Sequence, residues 1–235
     1  MNVGVVGDPH APFTHPLYLK FCQDTFRKHK VDHTHFAGDV VDHHAISFHD
    51  HDAEGRSAGD EGDEAEKQIA KWHKAFPGAT VSIGNHDERH LRLAKKAGLP
   101  CKRYLRNFNE IWQTPTWKWD YEHVIDGVLY THGTGTSGKN AAINLAIQRR
   151  MSTVIGHVHS WGGIQHHANA SSRIFGMNCG CGIDDRRYAF EYGRVFPVKP
   201  ILGCGVVIDG DQAQFIVMPC GKGERYHRSR AGKIH

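Results

Sequence analysis

Short apolar runs alternate with amphipathic stretches through the first half of the chain. Asn2–Val6, His33–Ala37 and Thr80–Ile83 are runs of strand length. Leu17, Phe21 and Phe26 recur near helical spacing and predict a helix over Pro16–His29, with Thr14 as a candidate cap. Ala65, Ile69, Trp72 and Phe76 fall at i, i+4, i+7 and i+11. They predict a second helix from about Asp60 to Ala75, stopped by Phe76-Pro77-Gly78. A third is expected over Glu88–Ala97, ended by Gly98 and Pro100.

The second half is richer in strands. Val124–Ile125 and Val128–Thr131 flank Asp126-Gly127, and Cys204–Ile208 and Gln214–Met218 flank Asp209-Gly210; both are hairpin signals. Thr153–Ile155 and Arg173–Met177 read as further strands, and Asn140–Arg149 as a helix. Strand–helix alternation followed by strand-rich sequence predicts a layered α/β fold with mixed sheets.

Five polar clusters stand where predicted strands end. They are Gly7-Asp8-Pro9-His10, Gly38-Asp39-Val40-Val41-Asp42, Gly84-Asn85-His86-Asp87, His132-Gly133 and Gly156-His157-Val158-His159. The carboxyl ends of strands line the ligand crevice of open α/β sheets, so neighbouring strands can bring the clusters together. A dinuclear site needs mixed imidazole and carboxylate ligands, with one carboxylate between two cations. Asp8/His10 and His157/His159 are i, i+2 pairs whose side chains point to one side if the backbone is extended. The glycines are expected to allow sharp turns and close approach of backbone to ions. Singly, a Gly-Asp pair is most often a turn and a lone His most often structural. Five such clusters in order carry more weight.

The ordered set Asp-x-His, Gly-Asp-x-x-Asp, Gly-Asn-His-Asp, His and Gly-His-x-His resembles the calcineurin-like metallophosphoesterase superfamily. The motifs stretch from Asp8 to His159. The resemblance implies a four-layer α/β/β/α sandwich with two mixed β-sheets and two divalent metal ions, Mn foremost, with Fe, Zn, Ni or Mg as alternatives. It implies that Asp8, His10 and His159 hold one metal, that Asn85, His132 and His157 hold the other, and that Asp39 bridges them. His86 is then the general acid towards the leaving group, Asp42 its orienting partner, and a metal-activated water the attacking group. Two positions depart from the protein Ser/Thr phosphatase branch: His43 stands where that branch has an Arg, and Asp87 where it has Glu. They favour a phosphodiesterase acting on nucleic acid or a nucleotide. The alternatives are a phosphomonoesterase and a non-catalytic metal-binding scaffold.

Composition adds little except histidine, at 20 residues of 235. The net charge of +4 sits in the last fifteen residues, Gly221–His235, which form a basic tail on an expected 1–220 domain. Arg89, Arg92, Lys95, Lys96, Lys102, Arg103 and Arg106 run without an intervening acid, as either a polyanion-binding surface for DNA or RNA or a solvated face. Tyr104, Phe108, Trp112, Trp117 and Trp119 follow, to stack bases or to fill a core. The polar loop 43–62 is a candidate lid, with His43 a weak candidate for substrate contact beside Arg89. Gly133–Asn140 nearly spells a P-loop, but Asn140 stands where the Mg-binding Ser/Thr belongs. Lys139 and the following helix start are instead expected near a substrate phosphate.

No apolar run approaches the ~18 residues of a membrane span. The N-terminus lacks a basic leader and cleavage site, so a cytoplasmic protein with reduced cysteines is expected, without membrane partners. Cys179-Gly-Cys181 lacks the second pair of a structural zinc site, and Asn169-Ala-Ser171 is not expected to carry sugar.

Overall fold

Side chains alternate between two buried clusters along the first strand, because it is covered on both faces. On β1 (Asn2–Val6), Val3 and Val5 enter one buried cluster and Val6 another. Gly4 shares the Val6 side, where an added Cβ would come within 2.8 Å of the Phe26 ring. The Phe26 side is a helix layer, formed by α1 (Tyr18–Lys28) and α2 (Ala58–Ala75). Tyr18, Cys22 and Phe26 of α1 and Ala65, Ile69 and Trp72 of α2 pack there against Phe36, Val81 and Cys204.

The structure, a computed structural model, describes residues 1–48, 56–184 and 198–219. The basic tail and part of the His-rich loop lie outside these residues.

One sheet has six strands in the order β11-β10-β1-β2-β3-β4, with β2 (His33–Phe36), β3 (Thr80–Ser82), β4 (Lys118–Asp120), β10 (Gly203–Ile208) and β11 (Gln212–Val217) around β1. β1 to β4 are parallel; β10 and β11 are antiparallel additions. The other sheet has the order β5-β6-β7-β9-β8: β5 (Glu122–Ile125), β6 (Val128–Thr131), β7 (Thr153–Ile155), β8 (Gly162–Ala168) and β9 (Arg173–Cys179). Here β6, β7 and β9 are parallel. Val5, Val207, Tyr130, Val154 and Met177 fill the space between the sheets. α6 (Ala141–Arg149) covers the outer face of the second sheet, so close to β9 that a Cβ on Gly176 would meet the Ile143 backbone nitrogen at 2.3 Å. The layers run helix, sheet, sheet, helix, as expected.

Several boundaries differ from expectation. α2 begins earlier than Asp60 because Ser57 accepts the Asp60 N–H and caps it. Thr14 does not cap α1; its hydroxyl donates to the Pro9 carbonyl. The basic stretch forms α3 (Arg89–Lys96) and α4 (Cys101–Tyr104), with α5 (Phe108–Ile111) after it. Both Asp-Gly turns occur, with positive φ at all four residues.

Candidate metal centre

Parallel neighbours end at the same edge of a sheet. β1, β2 and β3 therefore deliver Asp8, Asp39 and Asn85 to one edge, and β6 and β7 deliver His132 and His157 from the facing sheet. The loops interlock through the backbone: the His10 N–H donates to the Asp39 carbonyl and the Ala11 N–H to the Val40 carbonyl. Asp8, His10, Asp39 and His159 present ligand atoms within 4.8 Å of one another, and so do Asp39, His132 and His157. Asp39 belongs to both groups. Asn85 Oδ1 lies 3.0 Å from His132 Nε2, beside the second group. All seven residues named from the sequence thus meet in one place.

The backbone achieves this differently from expectation. His10 and His157 have positive φ (51° and 62°), as do Asp39 and His43. The i, i+2 pairs therefore converge through left-handed residues and not along an extended strand. Non-glycine residues are uncommon in this region, and it is held only where the surroundings over-determine it. The glycines also work differently. A Cβ on Gly156 would sit 2.0 Å from Asp8 Oδ1, and one on Gly84 would sit 2.1 Å from Asp39 Oδ1. These glycines make room for the carboxylate of an earlier motif, while Gly38 (φ 106°) supplies a turn.

The electrostatics match a demand for cations. Burial would lift the Asp39 carboxyl, but His132 and His86 outweigh it and hold it well below the usual range. Burial likewise opposes charge on His132, yet Asp39 and Asp8 push its pKa up to about 10. His10 and His157 are pushed down, chiefly by burial, towards the neutral imidazole that ligation requires. Asp8 Oδ1 is buried without a hydrogen-bond partner among the described residues. An orphaned buried oxygen amid imidazoles and a second carboxylate fits divalent metals of the Mn, Fe or Zn type.

Asp42 serves two histidines. Its Oδ1 lies 2.6 Å from His10 Nδ1 and 3.2 Å from His86 Nδ1, and its carbonyl oxygen lies 2.8 Å from His86 Nδ1. His86 Nε2 lies 3.1 Å from an Arg89 nitrogen. A guanidinium only donates, so Nε2 accepts there and the ring proton sits on Nδ1. Burial opposes charge on His86, but Asp39 and Asp42 still raise its pKa, with Arg89 pulling the other way. Arg89 is buried and also donates to the Asp42 and His43 carbonyls. His43 turns inward, its Nδ1 2.9 Å from the His86 carbonyl oxygen.

A profile of the calcineurin-like phosphoesterases matches residues 1–193. The chain belongs to this family. A metallophosphoesterase from Sphaerobacter thermophilus is similar over 93% of this chain and 89% of its own, at 14% identity and a TM-score of 0.51. Vacuolar Protein Sorting 29 from Cryptosporidium parvum aligns over 92% and 96% at 11% identity and a TM-score of 0.46. The zinc complex of the Entamoeba histolytica homologue aligns over 92% and 99% at 11% identity and a TM-score of 0.46. At 14% identity the first of these likenesses speaks to fold alone. No curated protein sequence matches the chain.

In this calcineurin-like phosphoesterase, the basic stretch splits. Arg89 enters the site, while Arg92, Lys95, Lys96, Lys102, Arg103 and Arg106 are exposed. Trp112 and Trp117 are core, and Tyr104 is exposed. Lys139 lies with its ammonium 5.4 Å from the centre of the Trp161 ring. Asn140 Oδ1 accepts from Gln165. Cys179 and Cys181 are free and buried. Asn169 Oδ1 accepts from the Ser171 and Ser172 N–H groups in the β8–β9 turn. No helix among the described residues is long and apolar enough to cross a membrane.

Two residues escaped sequence reasoning. Glu61 is buried on α2 and accepts the His44 and Ala45 N–H groups at 2.6 and 2.7 Å. Its signal was an acid on the helix's own apolar stripe, four residues before Ala65. Trp161 stands two residues after the last motif and is 41% exposed.

Proposed function

We propose that this chain hydrolyses phosphate esters with two divalent metal ions and prefers phosphodiesters of nucleic acid or nucleotides. The observation that carries the reading is the pair of ligand clusters sharing Asp39. Asp8, His10 and His159 hold one ion, Asn85, His132 and His157 the other, and Asp39 lies between. When bound, the ions supply Lewis-acid charge at phosphorus and make water a nucleophile near neutral pH.

The chain's own groups do the rest. Asp42 fixes the His10 ring for ligation and the His86 ring for proton transfer, holding Nδ1 so that Nε2 faces the reacting group. Arg89 occupies Nε2 in the substrate-free site. A phosphoryl oxygen is a stronger acceptor for its guanidinium than a ring nitrogen, so substrate draws Arg89 off Nε2. His86, whose pKa Asp39 and Asp42 raise against burial, then takes up a proton from solvent on Nε2 and gives it to the leaving oxygen, returning to the neutral ring protonated on Nδ1. Arg89 thereby takes the part that the missing Arg at position 43 has in the protein phosphatase branch.

Three features support a diester: Asp87 in the third motif, His43 turned to a backbone carbonyl, and the exposed cations beyond Arg89. The test is a Mn²⁺ panel of bis(p-nitrophenyl) phosphate, p-nitrophenyl phosphate, cyclic nucleotides, single- and double-stranded DNA, and RNA. Turnover of diesters over monoesters is expected. Turnover of the monoester alone overturns the diester preference, and no turnover with full metal content overturns catalysis.

A further inference from the structure

Two cation–aromatic pairs stand on loops that leave the metal centre, one from each sheet. Trp161 follows His159 by two residues, no more than about 7 Å along the chain. Over its ring lies Lys139, from the loop that follows His132. From the first sheet, Phe48 follows Asp42 on the β2 loop and is 45% exposed. Lys96 Nζ lies 3.9 Å from the centre of its ring and the Arg92 guanidinium 5.1 Å. Both cations belong to α3, which begins three residues after His86.

A lone exposed aromatic needs no explanation, because apolar side chains are common on surfaces. The placement here is what asks for one. Trp72, Trp112 and Trp117 are buried, so the fold has core positions for indole rings and Trp161 occupies none of them. Trp161 and Phe48 are each paired with a cation and stand on a loop that carries a site residue. An aromatic ring with a cation over one face suits successive units of a nucleic-acid strand, a base stacking on the other face and the neighbouring phosphate pairing with the cation. Only an unpaired base offers its face, since a duplex base is already stacked on its neighbours.

We propose that Trp161 with Lys139, and Phe48 with Lys96 and Arg92, are stacking platforms that present single-stranded nucleic acid to the metal centre. This deepens the phosphodiesterase reading and rests on it. The strand runs across both sheets: bases stack on Trp161 and Phe48, and phosphates meet Lys139 and the α3 cations. Neither platform touches the reacting atoms, so the platforms select the strand and leave the chemistry to His86 and the metal ligands.

The test uses the full chain with Mn²⁺ and a short oligothymidylate of cleavage-resistant phosphorothioate linkage. Binding is read by fluorescence anisotropy of the labelled strand and by quenching of tryptophan emission. Single-stranded probe should quench and bind, and a duplex of the same length should bind more weakly. Trp161→Ala should lose about 5- to 150-fold in affinity, the worth of one stacked base. Trp161→Phe should recover most of it, which separates lost stacking from misfolding. Lys139→Ala should flatten the salt dependence of binding. Equal affinity for duplex and single strand, or wild-type affinity in Trp161→Ala, overturns the platform. Wild-type turnover of bis(p-nitrophenyl) phosphate is measured alongside. Turnover there without Trp161-dependent binding defeats the platform and spares the catalytic reading; Trp161-dependent binding without turnover does the reverse.

Discussion

Asp39 and His86 sit in the same loop network yet have separable jobs. Asp39 accepts the His86 N–H at 2.8 Å through Oδ1 and points Oδ2 towards His132 at 3.1 Å. Asp39→Ala should lose metal and activity together; full metal content by elemental analysis would remove its bridging role. His86→Ala should keep both metals and lower turnover by about 10²–10⁴-fold, the usual worth of an acid–base group. Unchanged turnover of an ester with a poor leaving group would reject the acid role. The glycines give a third case that removes no ligand at all. Gly156→Ala places a methyl where Asp8 Oδ1 stands, and the buried Asp8 has no room to retreat. It should lose metal nearly as fully as Asp39→Ala while remaining folded by circular dichroism. Normal metal content in Gly156→Ala would show that the loops shift freely, contrary to their interlocked backbone.

At the scale of elements, Glu61 ties α2 to the turn that follows Asp42. Burial lifts its pKa, and the His44 and Ala45 N–H groups hold it back. Glu61→Ala leaves those two donors without the carboxylate and should cost about 1.5–3 kcal/mol in urea unfolding. Amide exchange at His44 and Ala45 should speed up, and metal content should stay full. Unchanged exchange at both amides would show that α2 does not hold the turn. Sequence pattern exposed α2 and the two Asp-Gly hairpins because their signals are local: helical period in one case, φ-demanding turn residues in the other. It did not expose β4 or β8. β4 is a three-residue edge strand and β8 is a partly exposed edge strand of polar sequence, GGIQHHA. Both owe their conformation to a neighbour and not to their own pattern. The same divide runs through the site. The candidate ligand residues were legible as ordered motifs, whereas the glycine cradles, the inward His43 and the Glu61 tie depend on contacts between loops remote in sequence.

The whole molecule is two sheets pressed together, with four of the seven candidate ligands on loops of one and three on loops of the other, so whatever weakens the seam weakens the site. His35 lies in that seam. It projects from β2 towards Tyr130 on β6 and His123 on β5, with ring centroids 4.9 and 5.5 Å apart. Its Nδ1 lies 2.9 Å from Thr80 Oγ1 and its Nε2 lies 3.2 Å from Ser82 Oγ. Burial, then the neighbouring His123 and His33, hold its pKa well below 6.5. The folded chain therefore keeps His35 neutral, while the unfolded chain protonates it near pH 6.5. The unfolded state binds the extra proton below that pH, so His35 costs stability as pH falls, by up to about 1.4 kcal/mol per pH unit. His132 has the opposite sign. In the metal-free chain, with its pKa raised to about 10, it contributes stability fully below pH 6.5 and loses it as pH rises towards 10. The depressed carboxyls Asp39 and Asp8 contribute above their unfolded pKa near 4 and lose that only in stronger acid. Between pH 6.5 and about 4.5, His35 can thus be isolated by difference. His35→Gln keeps polar atoms for Thr80 and Ser82 but does not titrate. Unfolding free energies by urea across that range should fall less steeply in His35→Gln than in wild type, by about one proton's slope. Parallel slopes in the two proteins would mean that acid reaches this fold elsewhere and that the seam tolerates a charge at its centre.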